Sequence, residues 1–202
     1  MSTPDNLEVL NKAEVLLAEG KCQEASALCD GILRVDPEDA AALTLKGHAL
    51  TGLGRPVDAL PFFKLARLHL PVYPPIRFNL AKAFDAVGQG KDALAEYDEA
   101  LKLDGAYADA RAQRAALREQ LGDREGAIAD LNGLVRRSPE EGRMWMLRGC
   151  FYTMIKRPDL GGPDLSKAVE LDPGLIENIQ NFFSSLPDKK ESPPFDPQNW
   201  PI

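Results

Sequence analysis

Two histidines and three cysteines carry the widest chemical range in this 202-residue chain. A metal site draws its ligands from His, Cys and carboxylates at short recurring spacings. His48 and His69 share no such spacing with each other or with a cysteine, so no metal is expected. His69 falls late in a helical segment, where it suits a surface position or the negative end of the helix. Cys22 and Cys29 lie seven residues apart on one helix. That is roughly 10 Å of rise, too far for a disulfide. Cys150 has no activating base in the pattern around it and reads as a small apolar side chain. No glycine-rich phosphate loop follows a strand, and no strands are expected. The 31 Asp and Glu residues read as solvated faces of helices. Nothing in this inventory argues for catalysis, and no cofactor is implied.

Charge narrows the partners. Lys and Arg number 24 against 31 acids, a net charge of −7, and the longest basic cluster is Arg136–Arg137. Phosphate-backbone and anionic-membrane binding both need a concentrated basic footprint, so neither is expected. The N-terminal segment has no basic leader followed by an apolar run, and no stretch approaches the roughly 20 apolar residues of a membrane span. With an odd number of cysteines, these features lead to an expectation of a cytoplasmic protein.

The elements that position these residues come from a repeat. "EASALCDGILRVD", "DALPFFKLARLHL", "DALAEYDEALKLD" and "GAIADLNGLVRRS" begin at residues 24, 58, 92 and 126, always 34 apart. Five units run without insertion over 6–39, 40–73, 74–107, 108–141 and 142–175. Each holds two apolar patterns of helical period separated by a turn. Gly20, Gly54, Gly88 and Gly122 mark the turn in four units. Ala13, Gly47, Ala81, Ala115 and Gly149 recur at one place on the first helices, and Ala25, Ala59, Ala93, Ala127 and Gly161 at one place on the second. Small residues at both places let antiparallel helices approach closely.

These five in-phase units resemble the tetratricopeptide repeat family. Trp145, Gly149 and Tyr152 stand close to that family's Trp, Gly, Tyr signature, and "AVELDP" at 168–173 matches its usual second-helix ending. The resemblance implies an all-α fold, a right-handed α-solenoid of helix-turn-helix repeats whose first helices line a concave groove. One helix pair cannot bury its apolar face alone, so neighbouring units must cover each other. Residues 1–5 form an N-terminal extension. Residues 176–186, with Ile176, Ile179, Phe182, Phe183 and Leu186 on one stripe, suit a C-terminal capping helix.

The family's groove positions fall here on Leu7, Leu10, Glu14 and Leu17 in the first unit and on Thr44, Leu45, His48 and Thr51 in the second. The third unit supplies Phe78, Asn79, Lys82 and Asp85, and the fourth Asp109, Ala112, Gln113, Ala116 and Glu119. The fifth supplies Arg143, Met146, Cys150, Thr153 and Met154. Leu7, Leu10 and Leu17, and separately Phe78, Met146 and Met154, suggest sites for apolar side chains of a peptide. One branch of the family clamps the C-terminal carboxylate of large cytosolic chaperones with Lys, Asn and Arg. In units two to four those slots hold Thr44, His48, Asn79, Asp109 and Gln113. Only Asn79 matches, and the anion of Asp109 opposes that use.

Two segments break the pattern. In "KRPDLGGPDL" Lys156 takes the turn-glycine slot, and Gly161–Gly162–Pro163 falls inside the second helix, so that helix is expected to begin near Pro163. Residues 187–202 hold five prolines together with Phe195 and Trp200. They read as an extended tail whose aromatics could anchor in a groove. The function expected is a non-catalytic protein–protein interaction module, a chaperone-like adaptor binding a protein or peptide segment. The alternative is a self-associating scaffold, a homo-oligomer joined through the N-terminal leucines or the tail.

Overall fold

The computed structural model of the chain describes residues 4–186, and among them every regular element is helical. Phe195 and Trp200 lie outside the described residues. The helices are α1 (Pro4–Ala18), α2 (Cys22–Val35), α3 (Ala40–Gly52), α4 (Pro56–His69), α5 (Pro74–Ala86) and α6 (Gly90–Leu103). They continue as α7 (Ala108–Gln120), α8 (Arg124–Arg137), α9 (Gly142–Met154), α10 (Pro158–Leu171) and, after a single 3-10 turn, α11 (Ile176–Ser185). The chain divides into two compact units at Ala110/Arg111. The first holds α1 to α6 and the first residues of α7, and the second holds the remainder.

Each hairpin turns in the same way. Gly20, Gly54, Gly88 and Gly122 have φ between 73° and 86°, the left-handed region that glycine enters at little cost. The amide after each glycine donates to the carbonyl five residues back: Lys21 to Leu16, Arg55 to Leu50, Gln89 to Phe84 and Asp123 to Arg118, all at 2.8–2.9 Å. Those bonds satisfy carbonyls that the helix end would otherwise orphan. In the fifth hairpin Lys156 adopts φ 59° and Arg157 donates to the Tyr152 carbonyl at 2.8 Å, so the turn survives without glycine.

That turn corrects the expected start of the last second helix. α10 begins at Pro158, whose missing N–H is harmless in the first turn, and runs on through Pro163. The helix is held there by contact with α9. A Cβ built on Gly161 would lie 2.7 Å from the Gly149 carbonyl oxygen, and one on Gly149 would lie 2.8 Å from the Leu165 side chain. Close packing of the two helices therefore needs glycine on both, and it outweighs the local helix-breaking cost of about 1 kcal/mol for glycine.

The small residues are buried as the phase requires. Ala13, Ala25, Ala59, Ala81, Ala93 and Ala127 have no exposed surface. Larger side chains fill the layers beside them: Leu16, Cys29 and Leu50, then Phe63, Phe84 and Tyr97 in the first unit, and Leu131 and Leu165 in the second. Burying an aromatic such as Phe63 contributes on the order of 2–3 kcal/mol. α11 closes the second unit by laying Ile179 and Phe183 against Leu165, with Phe182 and Leu186 at the edge.

Candidate functional site

The candidate residues sit on first helices. In the first unit the Thr44 hydroxyl donates to the Ala40 carbonyl at 2.7 Å, and Thr51 donates to Gly47 at 2.9 Å. Both hydroxyl protons are thus used within α3, leaving the oxygens as acceptors. His48 packs edge-on against Phe63, with ring centroids 5.4 Å apart. Burial, then the nearby Lys82 ammonium, push its proton affinity below the ordinary value, so the imidazole is neutral near pH 7.

On α5, Phe78 lies beside Tyr107 at 5.1 Å and Tyr97 at 6.1 Å, and the Lys82 ammonium stands 5.4 Å over the Phe78 ring. Stacking an ammonium on an aromatic face holds it in place at an exposed position. Asn79 is half-buried and Lys82 exposed, while burial, and after it the nearby Asp109 carboxylate, raise the proton affinity of the Tyr107 phenol. The first unit therefore presents an acceptor hydroxyl, a neutral imidazole, an amide and a pinned cation from α3 and α5. Tyr107, which lies between helices, was outside the groove positions named from sequence, although Tyr73 stands one repeat length before it.

The N-terminal leucines are corrected in part. Leu10 is buried in a cluster with Ala13, Cys29, Ile32, Leu45 and Ala49, and Leu17 is half-buried against the same cluster. Both help pack α1 onto α2 and α3, and Leu10 is covered by that packing. Leu7 and Glu14 remain exposed.

The second unit holds the remaining candidates. Gln113 and Arg143 are exposed. Met146 and Cys150 pack against the cluster built by Leu165, Ile179 and Phe183, so the capping helix takes the place where a peptide side chain was expected. Burial pushes the Cys150 thiol up to about 12 and the Cys29 thiol up to about 11, leaving both protonated and unreactive at neutral pH. Met154 stays exposed.

Several charged groups read as solvated from sequence are buried. Glu96 on α6 accepts from Arg67 of α4 and, at 3.0 Å, from Arg77 of α5. Asp130 on α8 accepts from Arg114 at 2.9 and 2.5 Å and from Arg118 at 2.8 Å. Asp164 on α10 accepts from Arg148 at 2.6 and 2.8 Å. Lys46 on α3 donates to Ser26 Oγ at 2.6 Å and Asp30 at 2.7 Å. The signal was present: acids recur at 96, 130 and 164, one repeat length apart, as do Arg114 and Arg148. Among the described residues no group of three or more His, Cys, Asp or Glu is placed to hold a metal ion, and no helix is long and apolar enough to cross a membrane.

Known proteins agree with this architecture. A family model described as tetratricopeptide repeat matches residues 10–69 and 113–176. Over 63 residues, 31% of the chain, the sequence is 37% identical to DnaJ protein P58IPK homolog A of Oryza sativa subsp. japonica, but this is only 13% of that protein's length. TTC0263, a thermophilic tetratricopeptide repeat protein of Thermus thermophilus, superposes with a TM-score of 0.73 at 23% identity, covering 89% of this chain and 97% of that one. MamA superposes at 0.68 with 19% identity over 82% of this chain and 96% of its own. YrrB, described as having an unusual peptide-binding site, superposes at 0.61 with 20% identity over 82% and 85%. At these identities the likeness shows the fold: an all-α, α-solenoid arrangement of helical hairpins.

Proposed function

Because the chain belongs to the tetratricopeptide repeat family, whose repeats form protein–protein interaction modules, we propose that it binds an extended segment of a protein partner on the first helices of its N-terminal unit. The family and its fold are generally non-catalytic. The observation that carries the proposal is Lys82, an exposed cation pinned over Phe78 beside Asn79 and within electrostatic reach of His48. An extended chain offers main-chain carbonyls and amides at regular intervals. Lys82 and Asn79 donate to the carbonyls, and the Asn79 and Thr44 oxygens accept from the amides. Tyr107 and Phe78 give an apolar side chain of the partner a surface to lie on. Asp109, near Tyr107, disfavours an acidic residue at that end.

The role is that of an adaptor in the cytoplasm that holds a partner by equilibrium binding. In the second unit Met146 and Cys150 contribute stability beneath α11, while Gln113, Arg143 and Met154 are exposed there. Selection from a random peptide library displayed on phage tests the proposal. Wild-type protein should enrich a common motif, and Lys82→Glu should bind the selected peptide about tenfold more weakly or worse. Equal binding by Lys82→Glu and by Asn79→Ala would reject this face as the site.

A further inference from the structure

One cleft between neighbouring repeats lacks a carboxylate that its counterpart keeps. The second helices carry Asp30, Lys64, Asp98, Asn132 and Ser166 at one place, and Lys46, Leu80, Arg114 and Arg148 follow the first four of these on the next helix. In the first unit the pair is closed, since Lys46 donates to Asp30 at 2.7 Å. In the second unit Arg148 donates through Nη1 to Asn132 Oδ1 at 2.9 Å, and a neutral amide holds the acid's place. Arg148 is a fixed group. Its guanidinium lies 5.1 Å over the Trp145 ring, and Nε and Nη2 donate to Asp164 at 2.6 and 2.8 Å. The Asp164 side chain is 7% exposed and spends both oxygens on that contact. Of the five guanidinium N–H groups, the other two have no acceptor among the described residues. With its oxygen turned to the arginine, Asn132 keeps both amide protons for a further acceptor.

Arg136 stands one turn further along α8, exposed and without a carboxylate partner among the described residues. Ala129, Asn132, Arg136 and Arg148 together line an open cleft of about 420 Å³. Arg34 and Lys102 hold the place of Arg136 on α2 and α6, so a cation in the last turn is ordinary. The amide one turn before it, in place of an acid, is what leaves this cleft positive. Arg111, packed over Gly133 of the same helix, registers the excess. Burial lowers its proton affinity most, and Arg114, Arg137 and Arg136 lower it further against the pull of Asp130.

We propose that this cleft binds an acidic segment of a protein partner, with one carboxylate held between Asn132, Arg136 and Arg148. The spare guanidinium and amide protons are donors only, and a carboxylate accepts from several of them at once. An open cleft admits a side chain still attached to its main chain, and Arg137 beside it takes a second acid of the same segment. The net charge of −7 opposes the approach only weakly, because charges beyond about 8 Å are screened at physiological salt and the local cations decide. The site shares no residue with the first-helix face of the N-terminal unit, so either one can fail without the other.

Titration of the full chain with hexaglutamate, followed by NMR of the Asn132 side-chain amide and the Arg136 and Arg148 Nε–H groups at constant ionic strength, tests the proposal. These signals should shift saturably with a Kd of about 1 mM or tighter, and hexaglutamine should leave them in place. Inorganic phosphate is the second arm and should bind at least about fivefold more weakly than hexaglutamate. Asn132→Asp restores the acid of α2 and α6, and Arg136→Glu copies Glu170 of α10, so both variants should fold. Each should weaken hexaglutamate binding by about tenfold or more. Absence of saturation with hexaglutamate overturns the proposal, as does phosphate binding as tightly, which would make this a site for free anions. Wild-type affinity in folded Asn132→Asp overturns it equally.

Discussion

Removing the Asp130 carboxylate should be among the most damaging single changes in the second unit. Its side chain is 3% exposed and gathers three guanidinium groups: Arg114 through two nitrogens, Arg118 at 2.8 Å and Arg111 at 3.5 Å. Those arginine side chains are themselves only 13–22% exposed. In Asp130→Ala the cations face one another without the anion between them. At an effective dielectric constant near 20, two charges about 6 Å apart repel by about 3 kcal/mol. Breaking a buried pair from one side costs about 3–5 kcal/mol, which includes that repulsion. Asp130→Asn keeps an acceptor of similar shape and should lose about half as much. The assay is native-state hydrogen exchange on α7 and α8, because repeat arrays open unit by unit and a single global midpoint can conceal a local loss. Replacing Arg114 by Leu in the Asp130→Ala background should recover part of the loss, since it removes one of the mutually repelling cations. A loss below about 1 kcal/mol for Asp130→Ala, the range of exposed ion pairs, would refute the argument that this carboxylate is held out of water.

Gly161→Ala should destabilise by about 1–3 kcal/mol in thermal or urea unfolding despite alanine's better helix propensity, because the new Cβ meets the Gly149 carbonyl at 2.7 Å. Gly31→Ala on α2, where a Cβ meets nothing within 4 Å, should instead stabilise by up to about 1 kcal/mol, and the same sign at both positions would contradict the packing argument. Lys156→Gly should stabilise by about 0.5–1 kcal/mol, since φ 59° strains a residue with a Cβ, and an unchanged urea midpoint would show that no strain is held there. His48 supplies a pH dependence. Its proton affinity is lowered in the folded state, so on acidification the unfolded chain protonates first, near pH 6.5. Stability should be level above about pH 7 and fall as pH drops through about 6.5, with that component absent in His48→Gln; identical Tm-versus-pH curves for the two proteins would refute the assignment.

The repeat makes the hairpins legible. Glycines and alanines recurring at 34 residues locate the turns and the close contacts, because a buried small residue leaves the same mark in every unit. The start of α10 is misplaced when local propensity is weighed one segment at a time. The turn depends on residue 156 reaching positive φ, which lysine does, and the Gly149–Gly161 contact holds the helix beyond it. Leu10, Met146 and Cys150 occupy slots that line a groove in the family. Whether such a slot is open depends on what lies over it, and Leu10 packs into the first unit's own core while α11 covers Met146 and Cys150. Spacing along the chain does not record that cover. The buried Glu96, Asp130 and Asp164 escape notice because a carboxylate looks the same in sequence whether it meets water or an arginine; their recurrence in phase with Arg114 and Arg148 is the sign that separates them.

Hydrogen exchange of the N-terminal unit, measured with and without a saturating display-selected peptide, tests the central claim most directly. The account predicts added protection of amides in α3 and α5 around His48 and Lys82, with α2 and α4 unchanged by the peptide. Protection confined to α2 and α4, or a peptide that binds without altering exchange in either α3 or α5, would contradict it.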